Sequence, residues 1–438
     1  METDKTTLRD LSIFNHEDQF SVFGKLNLTR TTGGREKLRQ IFNKSLDDIE
    51  SINNVQKTLQ LILENQQQWP LFISNGTVMM IYKFYESSID DPPSRPTIVT
   101  TYLYKFFHGP DFSLVKYSIG HVFDFIKGMK QIVSLYLNED TPLNFKKLLQ
   151  KADVLIEKNQ LEIVFGRETA KDLTNPEMLT LAYYIRFHYK QNLIELINIY
   201  SQLDARYGMA MAVKEFKLVF PVFISSDKPL LKSEKLFHIL LKEPVAYDVE
   251  LNQKNNFIFL TGANMAGKST FIKAVGSSVF LAHIGMGIPA ESMELSLFDG
   301  LLSNINVEDN IEKGESFFYN EVHRIKNTIL KVNDGRKWLI LIDEIFKGTN
   351  VEDALKCSTV VIKGLIKIKF SLFILSTHLY EISANLKEHP NIDFKYFATD
   401  IIDEKLIFNY QLKDGVSNDR IGYLILKREK VIELLEGL

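Results

Sequence analysis

The chain has 438 residues, with 52 Lys and Arg against 55 Asp and Glu, a formal net charge of −3, and 45% hydrophobic residues. At roughly 150 residues per domain this suggests about three domains or two large ones, and the composition excludes collagenous, low-complexity and wholly disordered classes. No global positive field marks a nucleic-acid binder, although a local basic face fits beneath a neutral sum.

The start METDKTTLRD lacks the basic-then-apolar layout of a secretory signal, and the single Cys357 excludes an intrachain disulfide. The most apolar stretches, such as Phe370 to Ser376, fall far short of the roughly 18 to 20 residues of a membrane span. A cytoplasmic chain without membrane contact is expected.

Two textures meet near Pro244. In the first, Ser45-Leu-Asp-Asp48 predicts a helix cap, followed by apolar residues at Ile49, Ile52, Val55, Leu59 and Leu63, one stripe at a spacing of three and four. Asp90-Asp-Pro-Pro-Ser-Arg-Pro96 predicts a turn-rich break. Asn175-Pro176-Glu177 then reads as a cap with Pro at the first helical position. Met178, Leu181, Ile185, Leu193, Leu196, Tyr200 and Leu203 carry that helix on. Run to about Val213, it would span ~57 Å at about 1.5 Å per residue, long enough for a lever.

The second texture alternates apolar strands with helical stretches, the pattern of a parallel α/β sheet. Phe257 to Thr261 is an apolar run that stops at Gly262-Ala-Asn264-Met265-Ala-Gly267-Lys268-Ser269-Thr270, a full match to the phosphate-loop pattern G-x-x-x-x-G-K-[ST]. Its glycines let successive N–H groups face a phosphate at a helix start. Lys268 is expected on the β- and γ-phosphates of ATP, and the Ser269 hydroxyl on Mg²⁺. Trp338 to Ile342 is a second apolar run, ending in Asp343 as metal partner and Glu344 as the residue that orients or deprotonates water. A third, Phe370 to Ser376, ends in Thr377-His378, which makes His378 the candidate γ-phosphate sensor at the same sheet edge.

Thr261 to Thr270, Leu341-Ile-Asp-Glu-Ile-Phe-Lys-Gly-Thr-Asn350 and Ser376-Thr-His378 together resemble the ATPase domain of the MutS family of DNA mismatch-repair proteins, a branch of the ABC ATPases. Ala282 to Ala290 is similar to the segment after that family's phosphate-loop helix, and Gly314-Glu-Ser-Phe-Phe-Tyr-Asn-Glu321 to its signature segment. Leu28-Thr-Arg-Thr-Thr-Gly-Gly-Arg35 and Leu203-Asp204-Ala205 resemble parts of the family's core. The resemblance implies an α/β ABC-type P-loop ATPase domain over 244–438, preceded by a mostly α-helical core/lever domain over 1–243. It implies that Ser316 reaches the nucleotide of an opposite subunit, that Asp353 lies in a loop contacting across the dimer, and hence a homodimer.

Departures also shape the expectation. The core-like segment begins within the first few dozen residues, leaving no room for the family's mismatch-reading and connector domains. Lys83-Phe84-Tyr85-Glu86 is superficially similar to the family's mismatch wedge but falls in the wrong domain, and a packed helix face is expected there. Phe346-Lys347 stands where many relatives have Gly-Arg, and Tyr396 to Leu412 reads as a hairpin. The expected function is an ATP- and Mg²⁺-dependent ATPase that binds mismatched or otherwise structured DNA in mismatch repair or a related repair process, with repair proteins as partners. The alternatives are a binder of branched recombination intermediates and a nucleotide-switched protein scaffold that hardly touches DNA.

Overall fold

The computed structural model describes residues 1–305, 317–402, 405–417 and 430–436. Two units divide them: a helical unit of Leu26–Lys44 and Asn53–Glu215, and a mixed unit of Met1–Lys25, Ser45–Ile52 and Phe216–Leu438. The division differs from the expected change near Pro244, for reasons that lie in the strands described below.

Helices α1 (Lys5–Asp10) and α2 (Val22–Leu26) open the chain. There follow α3 (Thr32–Phe42), α4 (Ile49–Glu64), α5 (Asn75–Glu86), α6 (Ile98–Phe107), α7 (Gly109–Tyr136), α8 (Leu143–Ile156), α9 (Glu162–Phe165), α10 (Asn175–Phe187) and α11 (Lys190–Glu215). The caps of α4 and α10 fall where the sequence predicts or one residue earlier, Thr174 rather than Asn175 capping α10. The Asp48 carboxylate accepts the Ser51 N–H at 2.6 Å ahead of α4, and Thr174 with Glu177 forms a capping box ahead of α10. The buried face of α4 includes Ile52, Leu59 and Ile62, one position off the expected stripe at its end, where Leu63 is half-buried.

The single long helix expected from Asn175 is two helices. The His188 and Tyr189 N–H groups both donate to the Tyr184 carbonyl, a wide turn that closes α10. Tyr189 is thereby turned fully inward, and its hydroxyl donates to the Leu155 carbonyl at 2.7 Å. Burial of that ring outweighs continuity of the helix. The longest rod is instead α7, with 28 residues, or ~42 Å. Lys83 to Glu86 behave as a packed helix face: Phe84 is buried and the Tyr85 hydroxyl donates to the Ile185 carbonyl at 3.0 Å.

Close approach of α3 to α11 explains Thr-Gly-Gly at the start of α3. A Cβ on Gly34 would lie 2.0 Å from an Asp204 carboxylate oxygen, and one on Gly33 2.4 Å from the Ser201 hydroxyl. Asp204, fully buried, accepts the Arg30 N–H at 2.9 Å, the Thr31 N–H at 2.8 Å and the Thr31 hydroxyl at 2.6 Å. Burial raises its pKa, and the Thr31 and Arg30 donors pull it back.

In the mixed unit, β1 (Val222–Ile224), β2 (Leu230–Leu236), β3 (Tyr247–Asn252) and β5 (Ser292–Ser296) form a sheet in the order β1-β5-β2-β3. A second sheet holds β4 (Phe257–Gly262), β6 (Gly300–Asn304), β7 (Trp338–Asp343), β8 (Ser371–Ser376), β9 (Ile392–Ile402) and β10 (Lys405–Asp414), in the order β10-β9-β4-β8-β7-β6. All its pairs are parallel except β9 with β10, the expected hairpin. The remaining helices are α12 (Lys268–His283), α13 (Phe317–Val332), α14 (Val351–Leu365) and α15 (Val431–Glu436). Strands β7 and β8 are buried along their whole length, as a parallel sheet covered on both faces requires. Each fully buried side chain such as Phe259, Trp338 or Phe373 contributes roughly 1.5–3 kcal/mol by transfer from water.

The first residues join this unit because α1 caps its outer strand. Asp10 accepts the Ser303 hydroxyl at 2.8 Å and the Ile305 N–H at 3.0 Å, and the Thr7 hydroxyl accepts the Ser303 N–H at 3.0 Å. Likewise β1 and β2, both ahead of Pro244, pair with β5. Such short, alternating strands leave little trace in a sequence dominated by helices.

Candidate nucleotide site

The carboxyl ends of β4, β8 and β7 lie side by side. Leu260 pairs in register with Ser376, and Ser376 with Asp343. The chain turns from β4 into α12 through Gly262 (φ +134°), Met265 (φ +69°) and Gly267 (φ +112°). At Gly262 a Cβ would also meet the Phe397 carbonyl oxygen at 3.0 Å, so backbone and packing both select glycine. Met265 adopts the left-handed conformation without that freedom, a cost of roughly 1–2 kcal/mol.

Lys268, only 5% exposed, folds over this loop and donates to the Gly262 carbonyl at 2.7 Å and the Ala263 carbonyl at 3.0 Å. Burial lowers its pKa, while Glu344 and Asp343 oppose that shift. The Ser269 hydroxyl donates to Asp343 Oδ2 at 2.5 Å, and the Ser376 hydroxyl donates to Asp343 Oδ1. Asp343 is thus held from both sides at the end of β7. Ser376 is a site residue that sequence reasoning did not assign; its signal was a hydroxyl closing an otherwise apolar strand.

Glu344 is left-handed (φ +57°), and its N–H donates to the Ser376 carbonyl at 3.0 Å. Its carboxylate lies 3.1 Å from Lys347 Nζ and 4.0 Å from His378 Nδ1. His378 is therefore at the site's rim, beside Glu344. Asn350 caps α14 by accepting the Asp353 N–H at 2.9 Å, and its amide donates to the Asp353 carboxylate at 2.7 Å.

A cavity of about 610 Å³ is lined by Asn264, Met265, Gly267, Lys268, Ser269, Thr270 and Glu344. Its lining also includes Leu241, Val245, Tyr247 and Tyr410, which no motif announced. These residues are distant in sequence, on β3, β10 and the segment before β3, and they straddle the expected boundary at 243/244. Of the remaining expected residues, Gly262 shapes the loop behind this lining. Ser316 lies outside the described residues.

A family model described as MutS domain V matches residues 258–433, from β4 onwards. A DNA mismatch repair protein MutS of Staphylococcus haemolyticus is 29% identical over 62% of this chain and 31% of its own length. The Arabidopsis thaliana DNA mismatch repair protein MSH7 is 24% identical over 96% of this chain and 42% of its own length. Over residues 258–433 the chain is thus similar to MutS domain V. MutS protein homolog 4 of Homo sapiens is similar as well, at 29% identity over 52% of this chain and 25% of its own length. The chain spans about a third of the length of the curated MutS relatives it matches. The matched domain V holds Lys268, Ser269, Asp343, Glu344 and His378. Among the described residues, no helix is long and apolar enough to cross a membrane.

Proposed function

We propose that the chain is an ABC-type ATPase of the MutS family that hydrolyses ATP and acts on DNA in mismatch repair or a related repair process, with ATP binding closing a homodimer. The observation that carries this reading is the convergence of Ser269 and Asp343 at 2.5 Å beside the Lys268 loop. The printed names of the relatives, DNA mismatch repair proteins, support the DNA role.

A serine hydroxyl and a carboxylate are the hard oxygen donors that Mg²⁺ takes, so Ser269 and Asp343 fit such an ion and would hold it. Bound there, the ion supplies positive charge to the β- and γ-phosphate oxygens. Lys268 turns from its two carbonyls to those phosphates, and the backbone N–H groups of the loop bind the same charge. Glu344 orients a water and takes its proton as the water oxygen bonds to the γ-phosphorus. The bond from that phosphorus to the bridging oxygen breaks, leaving ADP and phosphate. His378 contacts the γ-phosphate from the rim, and Ser316 does so from the opposite subunit.

Mixing two inactive variants tests the composite site. A Ser316→Ala chain and a Lys268→Ala chain together should recover part of the ATP turnover that each lacks. No recovery at any mixing ratio would remove the trans role of Ser316.

A further inference from the structure

The geometry points to Glu321 as a positioning residue for Glu344, acting through the loop that carries Lys347; this rests on the hydrolytic reading above. Glu321 lies on α13, as the last residue of the stretch that resembles the family's signature segment, and is 4% exposed. Its two carboxylate oxygens accept the N–H groups of consecutive residues in another segment, Lys347 at 3.0 Å and Gly348 at 3.1 Å. A buried carboxylate that takes two adjacent amides fixes the direction of the backbone between them.

What it fixes is the turn that leaves β7. Glu344 (φ +57°) and Phe346 (φ +60°) are both left-handed without being glycine, so this turn persists only where its surroundings determine it. Helix α13 supplies two such determinants. The Phe318 ring packs on the Phe346 ring with centroids 5.7 Å apart, and Glu321 holds the next two amides. The Lys347 side chain then reaches back to Glu344 at 3.1 Å. A continuous path runs from the start of α13 through Glu321 and Lys347 to the carboxylate that faces water in the proposed reaction. Movement at the start of α13 would be felt at Glu344 along this path.

Glu321→Gln keeps the size of the side chain but turns one acceptor into a donor facing an amide. With ATP and Mg²⁺, its turnover number should fall roughly 10- to 100-fold while ATP affinity stays within about twofold, the split expected for lost orientation of a reacting group. Lys347→Gln, at a partly exposed side chain, should show the same split, and it carries the test if the first variant does not fold. In the double variant the losses should multiply to less than their product, by about threefold or more, because both act on one path. Turnover unchanged in both single variants, affinity falling in parallel with turnover, or fully multiplicative losses would overturn the assignment. A wild-type chain that binds ATP without turning it over would overturn the hydrolytic reading and this role with it. An active wild type with an unaffected Glu321→Gln variant would remove the role alone.

Discussion

The two units handle backbone conformation in opposite ways. Among the described residues, every one with positive φ belongs to the mixed unit, including Met265, Glu344 and Phe346, which are not glycine. The helical unit has none, and its helices begin on capping residues such as Thr31, Ser74, Thr97 and Thr174. One unit is built from locally favoured choices. The other holds strained turns where the phosphate loop and the Asp343-Glu344 pair must present their groups. Of the non-glycine residues with positive φ among those described, Met265, Glu344, Phe346 and Tyr410 lie on the phosphate loop, on the turn after β7 or in the cavity lining, while Ser12, Lys217, Lys235 and Lys430 lie elsewhere in the mixed unit.

The largest effect that would sharpen this contrast is chemical. Asp343→Asn should lower steady-state ATP turnover by about 10²–10³-fold, because the carboxylate proposed to hold Mg²⁺ loses its charge. Turnover within a fewfold of wild type would break the claim that strain serves chemistry there. In the helical unit the corresponding blow is structural. Asp204→Ala would strand the buried N–H groups of Arg30 and Thr31, costing about 2–4 kcal/mol in denaturant unfolding followed by helical signal. A loss below about 0.5 kcal/mol would mean that this buried anchor is dispensable.

Acid should select the mixed unit. Burial lowers the pKa of His238 and of His283 to about 4, against about 6.5 in an unfolded chain. Between those values the unfolded chain takes up protons that the folded unit refuses. Stability is therefore whole above about pH 6.5 and is lost as pH falls towards 4, by about 2 kcal/mol per histidine at pH 5. Stability that stays flat from pH 6.5 to 5 would contradict the burial of these rings. The smallest effect probes strain itself. Met265→Gly, at an exposed left-handed position, should stabilise the unit by up to about 1 kcal/mol; destabilisation would show that the Met265 side chain, not its backbone, matters to the fold.

How much of this was legible follows from the same contrast. The site residues Lys268, Ser269, Asp343 and Glu344 stood at the ends of apolar runs, and β4, β7 and β8 are those runs. Caps and turn residues marked α4 and α10. Invisible were features that depend on distant partners. Tyr189 breaks a continuous helical pattern because its ring is buried and its hydroxyl meets Leu155. Thr7 and Asp10 join the mixed unit through Ser303, nearly 300 residues away. Tyr247 and Tyr410 line the cavity from strands that no local pattern links to the phosphate loop. The Glu321 contact to Lys347 and Gly348 was hidden for the same reason. Local periodicity records which face is buried, not what it is buried against.

The central claim, a DNA-coupled ATPase centred on the phosphate loop, is tested most directly by steady-state ATP turnover of the wild type and Lys268→Ala at one stated salt concentration. Each is measured without DNA, then with perfect duplex, mismatched duplex and a four-way junction. The salt must be fixed because contacts to phosphates weaken steeply with ionic strength. The account predicts turnover that vanishes in Lys268→Ala and changes in the wild type when DNA is added, most with the mismatched or branched form. Turnover that survives Lys268→Ala, or that is the same with every DNA, would contradict it.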